Sequence, residues 1–456
     1  LIIVLNYNMS PVIKNKGSAI FIHIAKNNYN KTKNYFSEDW QKPNYLTITS
    51  INSKSKEETS PIISASSIWL TFEAMAEVRE LGVGITLLPH AMRELAALGL
   101  QPAIEAVGIE NYESAFFNRH GQFIYSELRG RHAGYPLPEV GIHRGKLHKI
   151  LFDAAVARLG KDRVHTGHRF DRMVQTEGDV EITFKDPQGQ DLPSVRSRVL
   201  IASDGVNSAV RRVFYPDEKM VFTGINTWRG VTRFAPILTG KTYMRIGSIE
   251  TGKMVIYPIV DKADEQGRQW VNWMAEIRME EGVTQNDWNR PGRAEDVLKL
   301  FKDWTFDWLD VPKLIADADS ILEYPMVDKD PIDQWTFGRV TLLGDAAHPM
   351  YPRGSNGSAQ ALIDARTLAD ELAKGEPDPL PALHRYEAVR RPITAKVVQT
   401  NRSTPPDFIN IKVDELTQGQ PFRHIDDVIS QAELRKISDD YKKIAGFSLE
   451  ALKPAT

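Results

Sequence analysis

The chain has 456 residues, of which 42% are hydrophobic and 25% are charged, a composition typical of a soluble globular protein with two or three domains. Its formal net charge of −2 gives no general reason to expect binding to nucleic acid or to a membrane, and no apolar run approaches the ~18 residues of a membrane span. The absence of cysteine excludes disulfides, thiolate metal sites and cysteine nucleophiles; we expect a cytoplasmic protein with no metal.

Residues 1–66 differ in composition from the rest of the chain. They are rich in Asn, Lys, Ser and Ile, and Arg79 is the first arginine of the sequence. Ala19–Ala25 is predicted to be a buried strand, and the polar, turn-rich stretch Asn44–Thr59 is predicted to be a linker. We interpret residues 1–66 as a foreign N-terminal segment followed by a linker.

After this break the hydrophobic pattern predicts an α/β protein with α+β elements. Short continuous apolar runs are typical of strands that are buried on both faces of a parallel sheet, whereas spacing of three and four residues indicates helices. Val199–Ala202 and Val340–Leu343 are such continuous apolar runs, and Ile68–Phe72 is also a predicted strand. The predicted helices cover Leu147–Ala155 and Ala361–Leu372. Val180–Lys185, Met254–Val260 and Gln269–Ile277 are further predicted strands, the last two in a mixed or antiparallel sheet that is dense in Trp and Tyr.

These elements predict a two-domain enzyme in which the nucleotide-binding domain is interrupted by a β-rich domain. The nucleotide-binding domain comprises residues 67–214 and 336–402, and the substrate-binding domain comprises residues 215–335. Residues 403–456 form a C-terminal segment that we expect to be helical around Asp427–Ala445. This segment either caps the substrate domain or contributes to a homodimer.

Two acidic turns follow predicted buried strands. Asp204-Gly205 comes after Val199–Ala202, and Gly344-Asp345 comes after Val340–Leu343. In an open α/β sheet, ligands bind outside the carboxyl ends of the strands, where an Asp can accept hydrogen bonds from sugar or ribityl hydroxyls. Either turn alone is equally well explained as an ordinary Asp-Gly turn, but the two together favour a ligand site.

A glycine-rich stretch follows the second turn. Gly354-Ser355-Asn356-Gly357 leads into the predicted helix Ala361–Leu372, and the start of a helix presents free backbone N–H groups and a positive dipole end. These groups could face a flavin or a pyrophosphate. The alternative is a simple helix N-cap by Ser or Asn, and the two interpretations are compatible.

From about Phe72 to Arg402 the sequence resembles the group A FAD-dependent aromatic monooxygenases, the relatives of para-hydroxybenzoate and salicylate hydroxylases, and within them the phenazine-type branch that includes 5-methylphenazine-1-carboxylate monooxygenase. The matching segments are RELGVGITLLPHAMREL (Arg79–Leu95), GIHRGKLHKIL (Gly141–Leu151), ASDGVNSAVRR (Ala202–Arg212), WRGVTR (Trp228–Arg233), YPMVDKDP (Tyr324–Pro331), LLGDAAHPMYPRGSNGSAQALIDA (Leu342–Ala365) and YEAVRRP (Tyr386–Pro392). The resemblance implies a Rossmann-like FAD-binding domain with a parallel sheet and a mixed β-sheet substrate domain. It also implies hydroxylation of an aromatic or N-heteroaromatic carboxylate with NADH or NADPH and O₂, through a C4a-hydroperoxyflavin.

The same resemblance implies roles for individual residues. Those that match FAD-binding positions are Glu73 at the ribose, Arg144 along the FAD, Asp204 with Gly205, Asp345 at the ribityl chain, and the loop Gly354, Ser355, Asn356 and Gly357 beside the isoalloxazine ring. Pro349 and Tyr351 match positions near the reacting edge of the flavin.

Candidate substrate contacts are less specific. Trp228, together with Trp270 and Trp273, could line an aromatic pocket, although ordinary sheet core explains each equally well. Arg229 and Arg353 are candidates to pair with a substrate carboxylate. Because this chemistry needs no side-chain nucleophile, we assign no catalytic residue, and we expect His143 and His348 to be structural.

The N-terminal part departs from the family pattern. The family begins with a strand followed by GxGxxG, whose backbone approaches the FAD pyrophosphate, but residues 18–81 contain no glycine. Residues 1–40 instead show a short, weak resemblance to the histidine-bearing strand of L,D-transpeptidases of the YkuD type, around His23, without the cysteine nucleophile of that family. Two alternatives therefore stand beside the active monooxygenase: a catalytically impaired fusion or truncated relative, and a transpeptidase-derived cell-wall module, which the missing cysteine argues against.

Overall fold

The computed structural model describes residues 2–4, 21–23, 69–78, 82–279, 290–374 and 376–452. The predicted linker Asn44–Thr59 lies outside these residues, as does most of the segment that resembles transpeptidases. Of the predicted strand Ala19–Ala25, Phe21–His23 is a strand, and it pairs antiparallel with Ile2–Val4.

The strands in chain order are β1 (Ile2–Val4), β2 (Phe21–His23), β3 (Thr71–Phe72), β4 (Gly84–Leu87), β5 (Ile109–Glu110), β6 (Glu113–Phe117), β7 (Phe123–Leu128), β8 (Val140–His143), β9 (Val164–His165), β10 (Arg169–Gln175), β11 (Val180–Lys185), β12 (Val195–Ser197), β13 (Leu200–Ala202), β14 (Val221–Phe234), β15 (Thr242–Ser248), β16 (Gly252–Val260), β17 (Gln269–Arg278), β18 (Arg290–Pro291), β19 (Thr305–Phe306), β20 (Leu309–Asp310), β21 (Ala318–Asp328), β22 (Thr336–Phe337) and β23 (Val340–Leu342).

The α-helices in chain order are α1 (Pro89–Ala97), α2 (Gln101–Glu105), α3 (Arg144–Leu159), α4 (Ala209–Phe214), α5 (Ala294–Phe301), α6 (Val311–Ala316), α7 (Gly357–Leu372), α8 (Leu380–Ser403), α9 (Phe408–Thr417), α10 (Gln431–Ala445) and α11 (Leu449–Leu452). No helix within the described ranges is both long enough and apolar enough to cross a membrane.

The nucleotide-binding domain contains two parallel strand pairs. β13 pairs with β23, and β3 pairs with β9. One hydrophobic cluster takes side chains from both pairs and from the helices α3 and α7, as expected for parallel strands covered by helices. The predicted parallel sheet and its flanking helices are therefore confirmed.

The two parallel pairs belong to separate sheets. Within the described part of the chain, the second edge of β3 and the second edge of β13 carry no hydrogen-bonded strand. β3 and β9 form a two-stranded sheet, whereas β13 and β23 form a three-stranded sheet with β22. Sheets this small have little stability of their own, so both depend on the shared hydrophobic cluster. Because the sequence lacks the family's GxGxxG turn before Glu73, it predicts a parallel sheet that is incomplete at its N-terminus; the residues this prediction concerns lie outside the described ranges.

The substrate domain is built on an eight-stranded mixed sheet with the order β18-β21-β14-β17-β16-β15-β6-β7. β6 pairs parallel with β15, and the other neighbours are antiparallel. β6 and β7 lie outside the predicted range 215–335, so the sheet extends beyond that segment. Alternate residues point to opposite faces, and one face packs on α5 and α6.

The C-terminal segment packs against this sheet and against the nucleotide-binding domain. Ile409 and Val413 of α9 and Leu434 of α10 share a hydrophobic cluster with Phe116 and Ile124. α10 begins at a capping box between Ser430 and Glu433, slightly later than the predicted start. The prediction that this segment caps the sheet agrees with this packing.

Candidate active site

The two acidic turns lie side by side because the strands that precede them are neighbours. Ala202 of β13 is in register with Leu342 of β23, and Leu343 N donates to Ala202 O at 2.9 Å. Asp204 and Asp345 therefore follow adjacent carboxyl ends of parallel strands, the position at which α/β folds bind ligands.

Asp204 is engaged in capping the helix that follows it. Its carboxylate accepts hydrogen bonds from Ala209 N at 2.7 Å, from Val210 N at 3.2 Å and from the Ser208 hydroxyl. Burial raises the pKa of Asp204, although these hydrogen bonds oppose the shift. Gly205 has a φ of 79°, which a residue with a side chain would adopt only under strain. The turn is thus at least a structural cap.

Asp345 differs from Asp204 in lacking such donors. Among the described residues, no group donates a hydrogen bond to its carboxylate. Burial raises the pKa of Asp345 to about 6, although His348 and Arg144 act in the opposite direction. A half-buried carboxylate without donors is a suitable acceptor for ligand hydroxyls, so this residue fits the ribityl position of FAD.

The positive charge of Arg144 acts on the Asp345 carboxylate and opposes the rise in its pKa. Arg144 begins α3, it is 6% exposed, and its backbone N donates to Val83 O at 3.0 Å. Burial lowers the pKa of His148 to about 4, and the positive charge of Arg144 contributes to this shift. Arg144 and Asp345 therefore interact electrostatically, and their roles in binding FAD stay predictions.

The glycine-rich loop is held by the side chain of Asn356. Asn356 Nδ2 donates to Gly354 O at 3.2 Å and to Tyr441 Oη at 2.8 Å, and Oδ1 lies 3.1 Å from His90 Nε2. Although Asn356 occupies the N-cap position of α7, its side chain makes no capping hydrogen bond, so the simple N-cap interpretation is not seen.

The start of α7 lies next to Asp345. A Cβ atom at Gly357 would stand 3.9 Å from Asp345 Oδ1, so the free N–H groups of this helix and the Asp345 carboxylate border one space. Ser355 is in the left-handed region with a φ of 53°, which gives the loop its sharp bend. The positive helix end supports an anionic or strongly polar ligand there.

Glu73 ends β3, at some distance in sequence from the other site residues. Its backbone N donates to His165 O at 2.8 Å, and its Oε1 accepts from Met75 N at 2.8 Å. The residue is 1% exposed. Its position at the carboxyl end of a parallel strand is compatible with the predicted ribose contact.

The tryptophan candidates separate onto the two faces of the large sheet. Trp228 and Trp273 lie in the hydrophobic cluster on the face that packs on α5 and α6, and Trp273 Nε1 donates to Thr232 Oγ1 at 3.0 Å. This placement favours the sheet-core interpretation of Trp228. Trp270 lies on the opposite face, with its ring centroid 5.5 Å from that of His143.

Tyr351 and Pro349 lie in the segment between the second acidic turn and the glycine-rich loop, and both are buried. Tyr351 packs with Ile225, Ile249 and Met326, and within the described part of the chain its hydroxyl has no hydrogen-bond partner. Burial raises the pKa of Tyr351 well above its ordinary value. This neutral hydroxyl is available to a ligand.

Arg353 belongs to a buried chain of alternating charges. Its Nη2 lies 2.7 Å from Asp407 Oδ2, Lys253 Nζ lies 3.0 Å from the same oxygen, and Lys253 Nζ lies 2.8 Å from Glu276 Oε2. Because its charge is already matched by Asp407, Arg353 does not present a free cation to a substrate. Arg229, the other candidate, is buried and directs Nε to Met274 Sδ at 2.9 Å.

His348, one of the two histidines expected to be structural, has partners of that kind. His348 Nε2 lies 2.5 Å from Asp364 Oδ2, and Asp364 Oδ1 accepts from Arg390 Nε at 2.7 Å. Burial acts to raise the pKa of Asp364, but His348 and Arg390 hold it below its ordinary value. The group fixes the second acidic turn, because Asp364 Oδ2 also accepts from Gly344 N at 3.2 Å.

A pocket beside the glycine-rich loop contains residues that the sequence did not single out. Its wall includes Gly354 and Ser355 together with Thr86, Phe116, Tyr243 and Arg245. The available sequence signal was the charged Arg245 inside the otherwise apolar strand β15. Tyr441 also lines this pocket, and only the fold brings it there.

The comparisons with known proteins identify the family of this chain. Residues 71–401 match the FAD binding domain family, to which this chain belongs. Phenazine 1,6-dicarboxylic acid hydroxylase PhzS of Lysobacter antibioticus is 40% identical over 337 residues, which cover 73% of this chain and 83% of that protein. 3-Amino-4-hydroxybenzoate 2-monooxygenase PtnB3 of Streptomyces platensis is 29% identical over 381 residues, which cover 82% and 89%.

The fold agrees with the same class. The structure of Klebsiella pneumoniae HpxO complexed with FAD and uric acid matches with a TM-score of 0.64 and 21% identity, over 85% of this chain and 91% of that one. The chain is an FAD-dependent aromatic monooxygenase with FAD as its cofactor and an aromatic substrate and O₂ as reactants. This conclusion is favoured over the impaired relative and over the cell-wall module.

Proposed function

We propose that this enzyme hydroxylates a phenazine-like aromatic or N-heteroaromatic carboxylate, with NADH or NADPH as reductant. The observation that carries the proposal is the 40% identity, over most of both chains, to a hydroxylase named for a phenazine dicarboxylate. The sheet face opposite α5 and α6 is compatible with a flat anionic substrate. It contains Tyr243 and Tyr257, stacked with ring centroids 4.8 Å apart, and Tyr243 lies on the same strand as the cation Arg245.

We further propose which residues hold FAD. The candidates are Glu73, Arg144, Asp204, Gly205, Asp345, Gly354, Ser355, Asn356 and Gly357. Asp345 offers an acceptor without donors, Arg144 a buried cation, and the start of α7 a set of N–H groups. These features suit the hydroxyls and the polar ring edge of a flavin nucleotide.

FAD, when bound, supplies the reduction by NAD(P)H and the activation of O₂. The protein supplies binding, orientation and exclusion of water. The hydroxyl of the buried Tyr351 stays protonated at neutral pH and is available as a donor to a ligand. The charge network of Arg353, Asp407, Lys253 and Glu276 fixes the loop against the sheet. No side-chain nucleophile is needed.

The missing glycine-rich turn at the N-terminus should weaken FAD binding. Hydrogen bonds to a charged partner contribute about 1.5–3 kcal/mol each. Losing two or three of them removes roughly 3–9 kcal/mol, which corresponds to about two to six decades of affinity. If the complete site binds FAD with nanomolar affinity, a loss of about three decades gives a dissociation constant in the micromolar range, which we expect here.

We also propose a cytoplasmic homodimer that binds neither nucleic acid nor membranes. The near-neutral charge supports the second part. Val389 and Ile393, one turn apart on α8, are 48% and 43% exposed and support a subunit contact. Light scattering of the purified protein tests the dimer, and a monomer mass would contradict it.

The function is tested by NAD(P)H oxidation with phenazine-1-carboxylate after saturation with FAD, combined with mass spectrometry of the product. The proposal expects substrate-dependent oxidation and a product heavier by one oxygen atom, labelled when ¹⁸O₂ is used. Oxidation that produces only hydrogen peroxide with every phenazine and hydroxybenzoate carboxylate would contradict it. The Arg233→Gln variant, changed at an exposed position on β14, should give the same oxidation and the same product as the wild type.

A further inference from the structure

Arg245 is a buried cation for which the described residues provide no carboxylate partner. The residue is 5% exposed, and its Nη1 donates to Ser114 Oγ at 2.6 Å. Within the described part of the chain, no carboxylate lies within 4.0 Å of its guanidinium. Burying a charge without a partner is costly, so such a residue is retained where a ligand supplies the opposite charge.

The acidic residues of the same pocket are matched by other cations. Arg129 Nη1 and Nη2 lie 2.8 Å from Glu127 Oε1 and from Glu139 Oε2, respectively. Lys442 Nζ lies 2.7 Å from Glu127 Oε2. With these two acids and two bases paired, Arg245 leaves the pocket with one excess positive charge.

The orientation of Arg245 is fixed by two aromatic rings. Its guanidinium carbon lies 4.4 Å from the ring centroid of Tyr243 and 5.0 Å from that of Phe116. Stacking of this kind holds the planar group while its remaining N–H groups stay available for a bidentate contact with a carboxylate. Gly354 and Ser355 of the glycine-rich loop line the same pocket, so an anion there would stand close to the FAD site.

We propose that Arg245 binds a carboxylate of the aromatic substrate and determines the preference of the enzyme for acids over neutral ring systems. This inference rests on the proposed function and deepens it by naming the residue that selects the substrate class. Arg353, which already pairs with Asp407, is not available for that role. A carboxylate held by Arg245 would stand beside Gly354 and Ser355, which line the same pocket.

The test compares phenazine-1-carboxylate with its neutral analogue phenazine-1-carboxamide by equilibrium dialysis against the FAD-loaded enzyme. The wild type should bind the carboxylate about 10- to 100-fold more tightly than the carboxamide, the range expected for a charge-assisted hydrogen bond in a buried site. Arg245→Gln should lose this preference, Arg245→Lys should keep part of it, and the control Arg233→Gln should keep all of it.

Two results with the wild type alone would overturn the proposal. One is equal binding of the carboxylate and the carboxamide, and the other is no binding of either probe. An unchanged preference in Arg245→Gln would also overturn it. The proposed function fails separately, if bound carboxylate is never converted to a hydroxylated product. A wild type that hydroxylates both probes with equal KM would retain the function and contradict the role of Arg245.

Discussion

Tyr441 and Asn356 are joined by a hydrogen bond of 2.8 Å from Asn356 Nδ2 to Tyr441 Oη, which connects the last long helix to the glycine-rich loop. Tyr441 Oη also donates to Asn401 Oδ1 at 2.8 Å. Both residues that contact the tyrosine are buried, so the loop depends on a residue 85 positions away in the sequence. The C-terminal segment therefore positions the glycine-rich loop, which we propose to be part of the FAD site.

Tyr441→Phe should weaken both the loop and FAD binding. The variant leaves the amide groups of Asn356 and Asn401 without their partner, which costs about 1–3 kcal/mol of unfolding free energy. We expect a lower melting temperature and a weaker FAD affinity, measured by thermal unfolding and by flavin titration. Tyr112→Phe, at a residue that is 39% exposed, is the control. Equal FAD affinity in both variants would contradict this role.

Asp345→Asn should change stability and FAD binding in opposite directions. Because burial raises the pKa of Asp345 to about 6, the ionised group destabilises the FAD-free protein above that pH. Below the unfolded pKa of about 4 the carboxyl is protonated in both states, so the destabilisation disappears. The variant should thus gain about 1–3 kcal/mol at pH 7.5 and almost nothing at pH 4, as measured by urea unfolding.

The same Asp345→Asn variant should bind FAD more weakly, because an amide is a poorer acceptor for hydroxyls than a carboxylate. Flavin titration at pH 7.5 measures this effect. Asp319→Asn, whose carboxylate is 55% exposed, is the control. A variant that is less stable at pH 7.5 and binds FAD normally would contradict both parts.

Asp364→Asn should destabilise the protein strongly, because Arg390 would remain buried without its negative partner. Removing one member of a buried ion pair costs about 3–5 kcal/mol. The pKa of Asp364 is lowered, so its contribution is present above the unfolded pKa and is lost as the pH falls through the folded value. Chemical unfolding at pH 7 measures the loss, and a change below 1 kcal/mol would contradict the prediction.

Arg353→Met should affect stability rather than substrate choice. The variant leaves Asp407 with Lys253 as its remaining ion-pair partner, which should cost about 1.5–3 kcal/mol. The ratio of affinities for phenazine-1-carboxylate and its carboxamide should stay as in the wild type. If Arg353→Met bound the carboxylate and the carboxamide equally well, Arg353 rather than Arg245 would be the residue that contacts the carboxylate.

The sequence predicts well what depends on local pattern. Val180–Lys185 is a strand with the predicted bounds, and the two acidic turns follow neighbouring parallel strands as expected. Continuous apolar runs and turn residues report on such features directly. The resemblance adds candidate FAD-binding positions, of which Arg144 and Asp345 interact electrostatically.

The sequence does not predict what depends on distant contacts. Nothing in the local pattern places Tyr441 beside Asn356, or Asp407 between Arg353 and Lys253. Trp228 could not be assigned to a pocket or to the core, because the face of a sheet that carries α5 and α6 is set by tertiary packing. Similarly, β6 and β7 join the large sheet from an earlier part of the chain.

The most direct measurement is a titration of the purified chain with FAD, followed by flavin fluorescence and by the absorption band near about 450 nm that is typical of bound flavin. The account predicts saturable binding with one FAD per chain and a dissociation constant in the micromolar range, weakened in Asp345→Asn and unchanged in Asp319→Asn. Absence of binding at about 100 µM FAD would contradict the account, because the residues around Asp345 and the glycine-rich loop would then not suffice to hold the cofactor.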